Sequence, residues 1–193
     1  MPETPYTVQF ETTKGAFQAK VHPEWAPEGA ARLKELVENG FFQDVAFFRV
    51  LSGFVAQFGI HGDPAVSAEW RNRKIADDPV EHTNVRGTMT FATAGPDTRT
   101  TQLFVNLEDN TRLDSMGFSP VAEITAGMDV VDSLNDEYGE GAPRGTGPDQ
   151  GKIQAEGNDY LKSAFPALDY ITSASIVPTS DSDSDSGRGS GEA

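Results

Sequence analysis

Two apolar runs joined by a short turn make up residues 45–58: Val45-Ala46-Phe47-Phe48-Arg49-Val50-Leu51-Ser52-Gly53-Phe54-Val55-Ala56-Gln57-Phe58. Short runs rich in valine and phenylalanine are typical of buried β-strands, and Leu51-Ser52-Gly53 has the composition of a turn. Arg49 interrupts the first run. A guanidinium is costly to bury unless it is paired or lies in a wet groove, so Arg49 is a candidate functional residue.

Short strands continue on both sides of this pair. Apolar and polar residues alternate around Thr13-Lys14-Gly15, which predicts an antiparallel hairpin over residues 6–21. Further segments with strand composition are 88–93, 103–107, 121–124 and 170–177. Together these segments predict a mostly β protein built as a closed antiparallel barrel.

Two helices are predicted in addition to the strands, and the first should close one end of the sheet. The first begins at Pro27 and ends at Asn39-Gly40, because proline suits the first helical turn and Asn-Gly favours a stop. The second runs roughly from Met128 to Asn135. The remaining expectations are a short helix within residues 153–164 and loops over 59–86 and 136–151.

One domain is predicted to span residues 1–177. Residues 178–193 alternate Ser with Asp and then change to Gly, Ser and Arg. Such a segment has no apolar surface to bury, so we predict a disordered acidic tail.

Charge and composition exclude several classes of function. The chain of 193 residues carries 30 Asp and Glu against 15 Lys and Arg, a formal net charge of −15. Proteins that bind nucleic acids or anionic lipid headgroups do so through clustered cations, which an acidic chain of this kind lacks. The N-terminal residues lack the basic and apolar regions of a secretory signal, and no apolar run is long enough to span a membrane. We therefore expect a cytoplasmic protein that binds neither nucleic acid nor membranes. We also expect a monomer.

The usual catalytic and cofactor motifs are missing. The chain has no cysteine, and His22, His61 and His82 lack metal-ligand spacing and are predicted to face solvent from loops. The glycine-rich residues 139–145 lack the spacing and the preceding strand of a phosphate-binding loop, so they are predicted to be a connector. The sequence predicts neither a metal site nor a cofactor.

Two longer motifs resemble the signatures of cyclophilin-type peptidyl-prolyl isomerases. Residues 48–57 resemble the family pattern FHRxxxGFxxQ, and residues 91–98 with 101–106 resemble the second signature. Residues 86–89 and 122–132 continue the similarity, which covers about residues 6–177 in family order. Two long motifs at the expected separation are far more specific than one short pattern.

The resemblance implies an eight-stranded barrel capped by two helices, with the active site in a groove on its outer face. It also implies rotation about Xaa-Pro bonds of proline-containing peptides and of unfolded or folding proteins. The catalytic positions map to Arg49, Phe54, Gln57 and Phe104. The substrate-binding positions map to Val55, Ala92, Thr93, Ala94, Gln102, Leu113 and Phe118. Phe54, Val55, Phe104 and Leu113 would form the proline pocket.

The chain departs from the family pattern at several positions. Arg112 stands where an aromatic residue is usual, and Phe118 stands where histidine or tyrosine is usual. Phe58-Gly59 replaces the usual Gly-Gly, and residues 136–169 form a longer segment than in compact members.

Three functions compete at this stage. An isomerase needs a donor such as Arg49, whereas a proline-peptide chaperone or scaffold with weak or no turnover does not. A β-barrel carrier would need an internal cavity, but the bulky Phe10, Phe17, Phe47 and Phe91 predict a filled interior. Taken singly, Phe54 and Phe104 are also consistent with core packing, and Arg49 with a surface ion pair.

Overall fold

The two apolar runs of residues 45–58 form adjacent strands of a closed β-barrel. The computed structural model describes residues 4–177. The strands in chain order are β1 (Tyr6–Thr12), β2 (Gly15–Val21), β3 (Val45–Leu51), β4 (Val55–Phe58), β5 (Thr88–Phe91), β6 (Leu103–Asn106), β7 (Pro120–Ala126) and β8 (Tyr170–Val177). They are hydrogen-bonded in the order β1-β2-β7-β5-β6-β4-β3-β8, with β8 closing the barrel against β1. Every neighbouring pair is antiparallel, as predicted.

Phenylalanine rings fill the barrel interior. Phe10, Phe17, Phe47, Phe58 and Phe91 are each at most 1% exposed. The rings of Phe10 and Phe17 stack with centroids 4.9 Å apart, and those of Phe47 and Phe58 are 5.2 Å apart. Rings at these separations pack directly against one another. The filled interior agrees with the sequence-based expectation and leaves the carrier hypothesis without support.

Helix α1 (Pro27–Glu38) packs its apolar face, which includes Ala30, Leu33, Leu36 and Val37, into the same core. The Asp78 carboxylate accepts hydrogen bonds of 2.9 Å from the backbone N–H groups of Glu28 and Gly29. A carboxylate at this end satisfies first-turn donors and complements the helix dipole. The predicted start at Pro27 and the stop at Asn39 are both confirmed.

The other helices are shorter and differ from the sequence-based expectations. They are α2 (Pro64–Trp70), α3 (Met128–Asp132), α4 (Gln150–Glu156) and α5 (Asn158–Ala164), and residues Thr111–Met116 form a 3₁₀ helix. Helix α2 lies in a region predicted to be loop. The Asp63 carboxylate caps it and Trp70 anchors it, but seven residues are too few for a clear helical period. Gly157 divides the predicted 153–164 helix, because it has a φ of +65°.

His22 is only 9% exposed, so the prediction that it faces solvent is wrong. Its Nδ1 lies 3.0 Å from a carboxylate oxygen of Glu24, and its Nε2 lies 2.8 Å from one of Glu123. Its ring stacks on Trp25, which stacks in turn on His82. Glu123 on β7 and His82 are distant from His22 in the sequence and join this cluster only through folding. His61 and His82 are partly buried.

The predicted disordered tail, residues 178–193, lies outside the described residues. Within residues 4–177, no helix combines the length and the apolar character needed to cross a membrane.

Gly53 and Gly59 lie on either side of β4, and Gly59 should tolerate substitution less well. Its φ is +115°, and a Cβ would lie 2.2 Å from the backbone oxygen of Thr101. Gly53 is a matched control, because its φ of +74° is also positive but a Cβ there meets nothing within 4 Å. We expect Gly53→Ala to lower the free energy of unfolding by about 1–2 kcal/mol, the cost of the left-handed conformation. Gly59→Ala should lower it by at least twice as much.

Urea unfolding monitored by circular dichroism measures both values. Equal losses for the two variants would contradict the close approach of Gly59 to Thr101.

Candidate active site

A register shift in β3 turns Arg49 to the outside of the barrel. Strict alternation would place Arg49 on the same side as Phe47. Phe47 and Val50 belong to the barrel core, whereas Phe48 belongs to a separate cluster outside it. The pairing of β3 with β4 is irregular between Phe47 and Arg49, and an irregularity of this kind re-aims a side chain. Arg49 therefore lies in a groove on the outer face.

Arg49 is hydrogen-bonded on two sides. Its Nη1 donates to Oε1 of Gln57 over 2.9 Å, and Gln57 Nε2 donates to Oε1 of Gln102 over 2.9 Å. Its Nε and Nη2 donate to the two carboxylate oxygens of Glu140 over 2.7 and 2.9 Å. The Arg49 side chain is 21% exposed and that of Glu140 is 32% exposed. The ion pair considered for Arg49 is thus present, at the side of the groove.

An apolar pocket adjoins the guanidinium. Val55, Phe104 and Leu113 form a buried cluster of their own, with Phe54, Ala92 and Phe118 packed against it. The rings of Phe104 and Phe118 meet edge to face with centroids 5.7 Å apart, and Arg49 Cζ lies 5.9 Å from the centroid of the Phe54 ring. A cation thus stands beside a pocket suited to a small apolar ring.

The groove has a volume of about 560 Å³. The sequence-predicted residues that line it are Arg49, Phe54, Val55, Gln57, Ala92, Thr93, Phe104, Leu113 and Phe118. The remaining two, Ala94 and Gln102, line an adjoining depression of about 180 Å³ that shares Gln57, Ala92 and Thr93 with the groove. The structure therefore brings all the predicted site residues to one face of the barrel.

Hydrogen bonds hold the pocket from behind. Asn110 Nδ2 donates to the backbone oxygen of Phe54 over 2.9 Å. Asn84 Nδ2 donates to Asp114 Oδ1 over 2.7 Å and to the backbone oxygen of Phe118 over 2.9 Å. Sequence reasoning missed these supporting residues, because they carry no motif of their own.

The Asp114 carboxylate anchors the 3₁₀ helix that carries Leu113. Burial alone would raise the pKa of Asp114, but hydrogen bonds from Thr83 and Asn84 outweigh it and hold the pKa below its usual value of 3.8. The carboxylate therefore stays ionised at neutral pH.

Sequence reasoning also missed the second wall of the groove. The loop of residues 133–149, here called the α3–α4 loop, contributes Glu140, Gly141, Ala142, Pro143, Arg144 and Pro148. Part of it, residues 139–145, was predicted to be a mere connector. The one available signal was Arg49 itself, because a partly buried guanidinium calls for a carboxylate partner.

Arg112 lies outside the groove lining. Arg112 is exposed, and its Cζ lies 5.1 Å from the centroid of the Phe54 ring on the rim. Among residues 4–177, no group of three or more His, Cys, Asp or Glu side chains is arranged to hold a metal ion.

Comparisons with known proteins agree on one family. Residues 7–154 match the family described as cyclophilin type peptidyl-prolyl cis-trans isomerase/CLD. The chain is 30% identical over 141 residues to peptidyl-prolyl cis-trans isomerase B of Escherichia coli, covering 66% of this chain and 82% of that protein. It is 30% identical over 139 residues to a probable peptidyl-prolyl cis-trans isomerase of Brucella abortus, covering 66% of this chain and 70% of that protein.

Solved structures show the same fold. A cyclophilin type peptidyl-prolyl cis-trans isomerase from Cryptosporidium parvum superposes with a TM-score of 0.68 at 16% identity, covering 91% of this chain and 99% of that one. A second structure of that protein was determined in the presence of the dipeptide Ala-Pro. A cyclophilin from Hirschia baltica has a TM-score of 0.62 at 21% identity, covering 88% of this chain and 73% of that one.

The anchoring role of Asp114 predicts a pH-dependent stability. A depressed pKa means that the folded state favours the carboxylate, so this contribution is full above pH 3.8 and is lost as the pH falls through the lower folded value. Asp114→Asn should therefore be less stable than the wild type at neutral pH, and the gap should shrink as the pH falls below 3.8.

Urea unfolding of both proteins at a series of pH values measures this gap. The exposed Asp136 provides a control, because Asp136→Asn should leave stability nearly unchanged throughout. A gap for Asp114→Asn that is the same at every pH would count against the anchoring role.

Proposed function

The chain belongs to the family of cyclophilin-type peptidyl-prolyl cis-trans isomerases, and we propose that the outer groove is the site where it rotates Xaa-Pro peptide bonds. The observation that carries this proposal is the position of the Arg49 guanidinium, which is held by hydrogen bonds beside the apolar pocket of Phe54, Phe104 and Leu113.

The reaction requires few functional groups. Resonance gives the peptide C–N bond partial double-bond character, and rotation about it has a barrier of about 18–20 kcal/mol. Rotation at proline takes roughly tens to hundreds of seconds without a catalyst. No covalent bond is made or broken. The site needs only to hold the proline ring and to stabilise the twisted amide better than the planar one.

Arg49 is the proposed donor to the twisted amide. When the bond rotates, conjugation is lost, so the nitrogen gains a localised lone pair and the carbonyl oxygen turns away. A guanidinium N–H can donate to either atom. A donor that is already in place for the developing charge stabilises the transition state most strongly in a partly dry site.

The other site residues hold the substrate or the donor. Phe54, Val55, Phe104 and Leu113 would enclose the proline ring, with Phe118 closing one side through its contact with Phe104. Gln57 would position Arg49 through its 2.9 Å hydrogen bond. Residues 92–94 and Gln102 would line the path of the peptide chain away from the proline.

The natural substrates in this proposal are proline-containing segments of peptides and of unfolded or folding proteins. Their extended chains fit a groove that is open at the barrel surface. A monomeric state and a cytoplasmic location stay predictions from sequence. A proline-peptide chaperone or scaffold would use the same pocket, and turnover measurements separate it from the isomerase.

Removing the Arg49 side chain should abolish most of the catalysis. We expect Arg49→Ala to reduce kcat/KM by roughly 10²–10³, the scale seen when one key electrostatic donor is removed. Arg49→Lys should restore little, because an ammonium lacks the planar fork of donors. NMR exchange spectroscopy on a short Xaa-Pro peptide measures the rate.

The exposed Arg71 serves as a charge-matched control, and Arg71→Ala should retain the wild-type rate. Unchanged turnover in Arg49→Ala would overturn the mechanism. Peptide binding without any turnover by the wild type would favour the scaffold.

The apolar pocket should determine affinity for proline. Phe104→Ala removes buried ring contacts and should weaken binding of a proline peptide by ~1–3 kcal/mol. The matched peptide with alanine in place of proline should bind the wild type weakly and lose little in the variant. Isothermal titration calorimetry measures both affinities, and equal wild-type affinity for the two peptides would contradict a proline pocket.

A further inference from the structure

The α3–α4 loop supplies Arg49 with a partner from outside the barrel wall. We propose that Glu140 is a positioning residue for the isomerase reaction, fixing the plane of the Arg49 guanidinium from the side opposite Gln57. The proposal rests on the function proposed above for the groove.

The contacts of Arg49 define what Glu140 does. Nε and Nη2 donate to the two Glu140 oxygens over 2.7 and 2.9 Å, and Nη1 donates to Gln57 over 2.9 Å. A guanidinium has five N–H donors in a fixed plane. Among the described contacts, three of its N–H groups are engaged, and the others are left for a substrate amide. A two-point contact with a carboxylate fixes orientation as well as position.

Glu140 is itself held by its own loop. Its Oε1 accepts a hydrogen bond of 2.9 Å from the backbone N–H of Gly141, and its backbone oxygen accepts one of 2.8 Å from Gly147. A Cβ at Gly145 would lie 2.3 Å from that oxygen, so this loop folds closely around Glu140. The carboxylate is therefore an anchored group rather than a mobile surface side chain.

The ends of the loop are attached to the body of the protein. The Tyr138 hydroxyl accepts a hydrogen bond of 3.0 Å from the backbone N–H of Ala167, and the Tyr160 hydroxyl accepts one of 3.0 Å from that of Asp149. Tyr138 and Tyr160 both pack on Phe165, in the apolar cluster outside the barrel that also contains Phe48. Glu140 thus connects Arg49 to a loop that is attached to the body of the protein.

Positioning matters here because arginine is long and the groove is open. An arginine side chain that is free to move loses rotamer entropy when it is ordered, and that loss would otherwise fall at the transition state. Held in place beforehand, the guanidinium can stabilise the twisted amide without reorganising. The hydrogen bonds from Arg49 hold the pKa of Glu140 below its usual value of 4.5, despite the opposing effect of burial, so the carboxylate remains charged at neutral pH.

A conservative substitution isolates the second hydrogen bond. In Glu140→Gln, the amide oxygen can still accept from Arg49 Nε and Gly141, but the amide nitrogen cannot accept from Nη2. We expect kcat on a neutral Xaa-Pro peptide to fall about 5-fold, with KM within two-fold of the wild type, because orientation rather than binding is impaired. Glu140→Ala should lower kcat further, by roughly 10-fold or more.

Glu137 is the matched control. It lies exposed on the same loop, and its carboxylate accepts from Asn135 rather than from Arg49. Glu137→Gln removes the same charge and should leave kcat unchanged.

A purely structural role for Glu140 is tested by the Nε–Hε resonance of Arg49, which should shift in Glu140→Gln while the barrel resonances stay in place.

The double variant tests whether Glu140 acts through Arg49. In an Arg49→Lys background, Glu140→Gln should cause no further loss of kcat. A full additional loss there would overturn the proposal, as would wild-type kcat in Glu140→Gln. A higher kcat or a lower KM in Glu140→Ala would also overturn it, because Glu140 would then be a competitor of the substrate. In all three cases the wild type would still be an active isomerase, whereas an inactive wild type would contradict the proposed function.

Discussion

The filled interior of the barrel is the constraint from which the rest of the structure follows. Phe10, Phe17, Phe47, Phe58 and Phe91 occupy the space inside the strands with almost no exposure. A ligand site therefore has to lie on the outer surface, between the strands and the segments that cross them. The register shift in β3 turns Arg49 to that surface while Phe47 and Val50 remain in the core. One local irregularity thus allows a single strand to contribute side chains both to the core and to the groove.

The outer groove combines the two environments that the proposed reaction requires. On one side, Val55, Phe104 and Leu113 form an apolar cluster suited to a proline ring. On the other, Arg49 provides a cation within a network of side-chain hydrogen bonds. Rotation about a peptide bond requires binding and electrostatic stabilisation but no nucleophile. The scarcity of conventional catalytic residues in this chain is consistent with that requirement.

The structure also shows how Arg49 is held in an acidic protein. The formal net charge is −15, so carboxylates outnumber cations in this chain, and Arg49 is paired with Glu140. A partly exposed pair of this kind is worth only about 1 kcal/mol or less in stability. In our proposal its consequence is geometric, because the pair would hold the guanidinium in one orientation in an open groove. The α3–α4 loop thereby joins the site as a second wall instead of serving only as a connector.

The sequence by itself predicted the barrel, helix α1, and many of the residues that line the groove, although not its second wall. Strand alternation, the proline at position 27 and the two signature motifs are local patterns, and they were sufficient for those conclusions. Only the tertiary structure showed how a register shift turns Arg49 outward, that Asn84 and Asn110 support the pocket, and that His22 is buried. It also paired Arg49 with Glu140, which lies 91 residues away in the chain. Contacts between distant residues depend on how the barrel closes and how its loops pack, and no local pattern encodes them.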